Sequence, residues 1–176
     1  MKLVLATQNP KKLKEMNEIL SHLGVEVVSE AELGVRIEVE ETGETFTDNA
    51  RLKATAVMQA TGLPAVADDS GLCVDALNGG PGVYSARFGG EGLDDKGRYT
   101  LLLEMLRGQT DRAAHFHTSI VCAFPNGDEL VCEGECPGTI AFAPMGEGGF
   151  GYDPVFFVPE LRKTFGQLTA EEKASV

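Results

Sequence analysis

A chain of 176 residues is long enough for one domain, or for two small lobes sharing one compact unit, with a substantial core. Its 43% hydrophobic, 24% charged and 7% aromatic residues exclude a disordered or fibrous protein. Fifteen Lys and Arg against 27 Asp and Glu leave a net charge of −12; this argues against binding nucleic acid or anionic membranes, because a phosphate polymer needs a basic face.

The first apolar run, Leu3 to Ala6, is too short for a signal-peptide core, and no stretch reaches membrane-spanning length, so a cytoplasmic protein is expected. Lys2 to Ala6 reads as a buried strand. Asn9-Pro10 then offers a helix cap followed by proline at the first helical position. Leu13, Met16, Leu20 and Leu23 continue at helical spacing until Gly24, and Val25 to Val28 forms the next strand. The acidic segment Glu38 to Glu44 leads into a helix from Phe46 to Thr61, whose inner face carries Phe46, Ala50, Ala54, Val57 and Met58. Pro64 to Ala67 reads as a short strand ending on Asp68-Asp69-Ser70-Gly71, with a separate strand from Leu72 to Asp75. Asp94 caps a third helix through Arg107, with Tyr99, Leu102, Leu103 and Leu106 inward. Ala113 to Phe124 alternates with period two, Asn126-Gly127 makes a turn, and Glu129 to Phe142 returns as its partner. The expected fold is α/β: a mixed sheet flanked by helices in a single domain over residues 1–176.

Thr7 to Lys12 joins a strand to a helix N-terminus, where free N–H groups and Lys11 and Lys12 favour an anion; simple capping by Asn9 beside two solvated lysines is the plainer alternative. Glu38, Glu40, Glu41 and Glu44, with Asp68 and Asp69, supply oxygen ligands suited to magnesium, or else a solvated acidic loop. Gly146 to Gly151 matches GxGxxG literally, but follows no first strand of a βαβ unit, and Tyr152-Asp153-Pro154 cannot open a proper helix, so a dinucleotide site is excluded. The loop instead presents Phe150, Tyr152 and Asp153 to a flat ring. Thr169 to Glu172 is a capping-box pattern that puts Lys173 in a first helical turn. His115 and His117 share a strand face with no third ligand near in sequence, and Cys73, Cys122, Cys132 and Cys136 contain no CxxC pair, so neither set predicts a metal site.

ATQNPKK, EETGETF followed by DNARLKA, ADDSGL, GGPGVYSARF, GGFGYDPVF and TAEEK occur in the order seen in the inosine triphosphate pyrophosphatase family, which the sequence resembles over almost its whole length. The resemblance implies an elongated mixed α/β fold with two lobes around a central substrate cleft, usually a homodimer. It implies magnesium-dependent hydrolysis of inosine, xanthosine and deoxyinosine triphosphates to the monophosphate and pyrophosphate, which cleanses the nucleotide pool. Matched by position, Thr7, Gln8, Asn9, Pro10, Lys11 and Lys12 form the phosphate loop, Glu40 and Asp69 are metal ligands, and Asp69 is the general base. Ser70, Phe150, Gly151, Tyr152, Asp153 and Lys173 match further substrate contacts. Gln8 replaces a frequent glycine, and the sequence ends before the family's Ser-His-Arg motif and final helix.

Hydrolysis between the α and β phosphates needs an in-line water and neutralisation of phosphate charge, for which Lys12, Lys53 and Lys173 are the available cations. Two alternatives stand beside this reading. A Maf-like nucleotide pyrophosphatase lacks support because its arginine-rich opening loop is absent; a nucleotide-binding module without turnover is opposed by Glu40 and the ADDSGL carboxylates.

Overall fold

Leu3, Val4 and Leu5 are buried on both faces of β1 (Lys2–Leu5), as an interior strand of a helix-covered sheet requires. The computed structural model describes residues 1–7 and 10–174. In it β1 runs parallel to β2 (Glu26–Ser29) on one side and to β3 (Ala65–Val74) on the other. Between β1 and β2 lies α1 (Pro10–Leu20), opening on proline as the sequence predicts. Leu13, Met16 and Leu20 pack against Leu3, Leu5, Val27 and Val66. The expected fourth member of that face, Leu23, is 74% exposed; the chain tightens into a 3₁₀ turn at Ser21–Leu23, which rotates it off the stripe before Gly24 ends the turn at φ 72°.

The helix α2 (Phe46–Thr61) has the predicted bounds. Thr45 caps it, its side-chain oxygen accepting from the Asp48 N–H at 3.0 Å. Ala50, Ala54 and Val57 lie against Val4, Ala6, Val28, Ala65 and Ala67 on the sheet face opposite α1. The strand β3 departs from expectation. It runs unbroken through Asp68 to Gly71 and absorbs the second strand predicted after it, so the paired carboxylates stand mid-strand. Lysines from α1 and α2 reach these positions and supply the donors a charged strand interior needs.

The remaining strands are β4 (Gly80–Pro81), β5 (Ala113–Ala123), β6 (Glu129–Ile140), β7 (Phe156–Val158) and β8 (Lys163–Thr164). The sheet order is β2-β1-β3-β5-β6-β7-β8, with β4 on β3, a mixed sheet as anticipated. Pro125 to Asp128 makes the predicted turn, closed by Phe124 N–H to Asp128 O at 2.9 Å. The last residues expected in β6 fall outside it. There the buried Arg112 guanidinium donates to Ile140 O at 2.7 Å and Ala141 O at 2.8 Å, and Phe142 lies exposed over its cationic face. The helix α3 (Asp95–Met105) is capped by Asp94 and buries Leu102.

The chain divides into two compact units, Met1–Asp69 with Thr118–Gly134, and Ser70–His117 with Glu135–Val176. The first holds the α1 and α2 cores described above. The second is built on Leu72, Leu102, Leu106, Ile140, Val155 and Phe156, with Phe116, Phe156 and Phe165 in mutual ring contact. Near its end α4 (Ala170–Ala174) begins with the predicted capping box: Glu172 N–H donates to Thr169 Oγ1, and Thr169 N–H to Glu172 Oε1, both at 3.1 Å. No helix among the described residues is long and apolar enough to cross a membrane.

Candidate active site

Alternation along β3 dictates the arrangement in the first unit. Ala65 and Ala67 face α2 and Val66 faces α1; the same period sends Asp69 toward α2 and Asp68 toward α1. Lys12 of α1 meets Asp68 Oδ2 at 2.7 Å. From α2, the wholly buried Asn49 donates from Nδ2 to Asp69 Oδ2 at 3.3 Å, while its own Oδ1 accepts from the Gly43 N–H at 2.7 Å. Lys53 donates to the Asp68 carbonyl oxygen at 2.6 Å and lies 3.2 Å from Glu41 Oε1 and 3.9 Å from Asp69 Oδ1.

Burial, foremost, pushes the Asp69 carboxyl up to about 6. The Lys53 charge and the Asn49 hydrogen bond pull it down, and the charges of Glu41 and Asp68 push it further up. A carboxylate balanced near neutrality is suited to accept a proton from water. The Glu41 and Asp69 carboxylates beside a single lysine, with the Asp68 carbonyl oxygen, also form an all-oxygen donor set in excess of negative charge that fits a hard divalent cation.

Thr7 is half-buried at the end of β1, and with Lys53, Glu38 and Val39 it lines an open depression of ≈ 320 Å³. Gln8 and Asn9 lie outside the described residues; Pro10 and Lys11 stand in the first turn of α1, where backbone N–H groups are free of intrahelical partners. Glu40 is exposed in the loop before α2, and its neighbour Glu41 holds the contact with Lys53. Ser70 follows Asp69 on β3 and is exposed.

In the second unit the predicted ring-binding loop is held by its own carboxylate. Asp153, 3% exposed, accepts from the Phe150 N–H at 3.0 Å and from Lys173 Nζ at 2.7 Å. A Cβ at Gly149, where φ is +72°, would strike that carboxylate, so the turn demands glycine. Gly151 N–H donates to Asp95 at 3.0 Å. Tyr152 is buried and donates its hydroxyl to Ser85 O at 2.6 Å; burial raises its phenol to about 12. Of the three side chains expected to meet a ring, Phe150, 57% exposed, is the one presented, while Tyr152 and Asp153 turn inward as its supports. Lys173 Nζ stands 4.8 Å from the Phe150 ring centroid.

The chain as a whole is similar to known proteins. The model of the Ham1 family matches residues 3–176. The chain belongs to the Ham1 family. A dITP/XTP pyrophosphatase of Desulforamulus reducens is 53% identical over 178 residues, 100% of this chain and 89% of the relative. Another from Exiguobacterium sp. is 50% identical over 176 residues, 100% and 90% of the two chains. The solved structure of a HAM1 protein from Coxiella burnetii superposes with a TM-score of 0.95 at 43% identity, covering 100% of this chain and 91% of that one. Beside Asp69, Asn49 is the buried partner that sequence reasoning missed. Its signal was an amide three positions after Phe46 on an otherwise apolar helical face.

Proposed function

We propose that this Ham1 protein is a nucleoside triphosphate pyrophosphatase that hydrolyses deaminated purine nucleoside triphosphates, those of inosine, xanthosine and deoxyinosine, to the monophosphate and pyrophosphate. The names of the relatives support the reaction and the substrate class. The observation that carries the mechanism is Asp69, buried on β3 with Asn49 on one carboxylate oxygen and Lys53 and Glu41 close by.

Asp69 is the base that takes the proton from the attacking water, and Asn49 fixes the carboxylate's orientation through Oδ2. Glu40 and Asp69 are the proposed magnesium ligands, with Glu41 held on Lys53 at the edge of the set. Magnesium, when bound, supplies the positive charge that an acidic protein needs to admit a triphosphate. Thr7 and Lys12, with Gln8, Asn9, Pro10 and Lys11, hold the phosphates, aided by the N-terminal N–H groups of α1. Phe150 stacks on the purine, Gly151 and Asp153 shape the loop, and Lys173 and Ser70 contact the nucleotide. A donor at the six-position oxygen of the base would oppose an adenine amine, since both would offer hydrogen. We place the enzyme in the cytoplasm as a homodimer, acting on nucleotides and on neither nucleic acid nor membranes.

Pyrophosphate release from inosine triphosphate, with magnesium and with excess chelator, tests the reading. Release that requires the metal supports it; full release in chelator, or orthophosphate as the first product, would sink it. Within the metal set, Glu40→Gln should weaken magnesium activation more than Glu41→Gln does, and the reverse order would reassign the ligand.

A further inference from the structure

The strand face carrying His115 and His117 gains in the fold the partner it lacked in sequence. Alternation on β5 points both imidazoles to one side. β6, the neighbouring strand, brings Glu135 across to them: Oε1 lies 3.1 Å from His117 Nδ1 and 3.8 Å from His115 Nε2. One ligand atom from each of the three residues lies within 4.8 Å of the others. We propose that His115, His117 and Glu135 form a binding site for a borderline divalent transition-metal ion, zinc foremost. It shares no residue with the magnesium carboxylates.

The chemistry separates the two sites. Two neutral imidazole nitrogens and one carboxylate oxygen are donors that zinc, cobalt or nickel prefer, whereas magnesium selects oxygen alone and dehydrates reluctantly. Ligand bonds of about 2.0–2.1 Å in a tetrahedral shell set donor atoms roughly 3.3 Å apart. The His117–Glu135 separation is already near that value, so closure asks for side-chain rotation of His115 and Glu135. Access is open, with Glu135 58% and His115 32% exposed in their side chains, while His117 at 18% is the more anchored member. Three ligands leave a fourth position for water or another donor. Without a metal, the same contacts are those of a histidine–carboxylate pair, and that is the competing account.

Cobalt(II) titration of the full chain in millimolar magnesium distinguishes them, read by visible absorption, with zinc uptake measured by calorimetry under the same conditions. One saturable ion per chain is expected, with d–d bands of an N/O shell, displacement by zinc and indifference to magnesium. His115→Gln and Glu135→Gln should each weaken uptake by about 10-fold or more. Zinc should raise the melting temperature of the unaltered chain by clearly more than that of Glu135→Gln. Absence of saturable uptake by the unaltered chain would overturn the site and leave the histidine–carboxylate pair. So would uptake that survives both substitutions, or near-ultraviolet thiolate bands marking the cysteines as the ligands. Because no readout is turnover, failure here leaves the pyrophosphatase reading intact, and the converse holds.

Discussion

Asp69 has a carboxyl raised to about 6, against about 3.9 in an unfolded chain. Between those values the native state holds more protons than the unfolded state, so stability of the metal-free protein falls as pH rises through this window and stays low above it. Asp69→Asn keeps the shape and an acceptor for Asn49 but removes the charge. In chelator at pH 8 the variant should therefore be more stable by on the order of 2–3 kcal/mol, with the gap closing toward pH 4. Urea denaturation at the two pH values checks this, and equal stability at pH 8 would contradict the burial of the charge. The same variant should lose about 100-fold or more in turnover with magnesium present. Asn49→Ala leaves the Gly43 N–H and Asp69 without their buried partner. It should cost about 1–3 kcal/mol in a thermal melt of the magnesium-loaded protein. Sequence reading reached Asp69 because a charged pair beside an apolar run is conspicuous. It did not reach Asn49, whose partner is distant in the chain, nor the third member of the His115 cluster, which only strand pairing supplies.

At the scale of elements, the boundaries that local chemistry writes were legible. Proline opens α1, the apolar stripe sets α2 from Phe46 to Thr61, Asp94 caps α3, and Thr169 with Glu172 opens α4. β3 was not legible, because a strand can run through two aspartates only where Lys12 and Lys53 arrive from other elements. Leu23 and the end of β6 were misjudged for a similar reason: a 3₁₀ turn and the Arg112 guanidinium, neither visible in the apolar pattern, set where those elements stop. The loop from Gly149 to Asp153 gives a test at this scale. Gly149→Ala places a methyl against the Asp153 carboxylate, releasing its hold on the Phe150 N–H and Lys173. The variant should raise KM for inosine triphosphate by roughly 10-fold with a smaller change in kcat, since it disturbs positioning and leaves Asp69 alone. An unchanged KM would show that the loop does not meet the nucleotide.

For the whole molecule, a net charge of −12 argues against polyanion partners, and the proposed phosphate chemistry was legible only as small clusters of cations at the ends of elements. Membership of the Ham1 family, with two relatives at 50% and 53% identity named dITP/XTP pyrophosphatases, supports the proposed substrate class, which no single side chain reveals. A homodimer is expected in sedimentation at micromolar concentration, and a monomeric mass there would count against it. The proposed reaction is selective for a deaminated base. Its most direct measurement is the specificity constant for pyrophosphate release from inosine triphosphate against that from adenosine triphosphate, under matched saturating magnesium. A ratio of roughly 100 or more in favour of inosine is predicted, the scale that an unpaired polar group imposes. A ratio near one, or a preference for adenosine, would contradict the account.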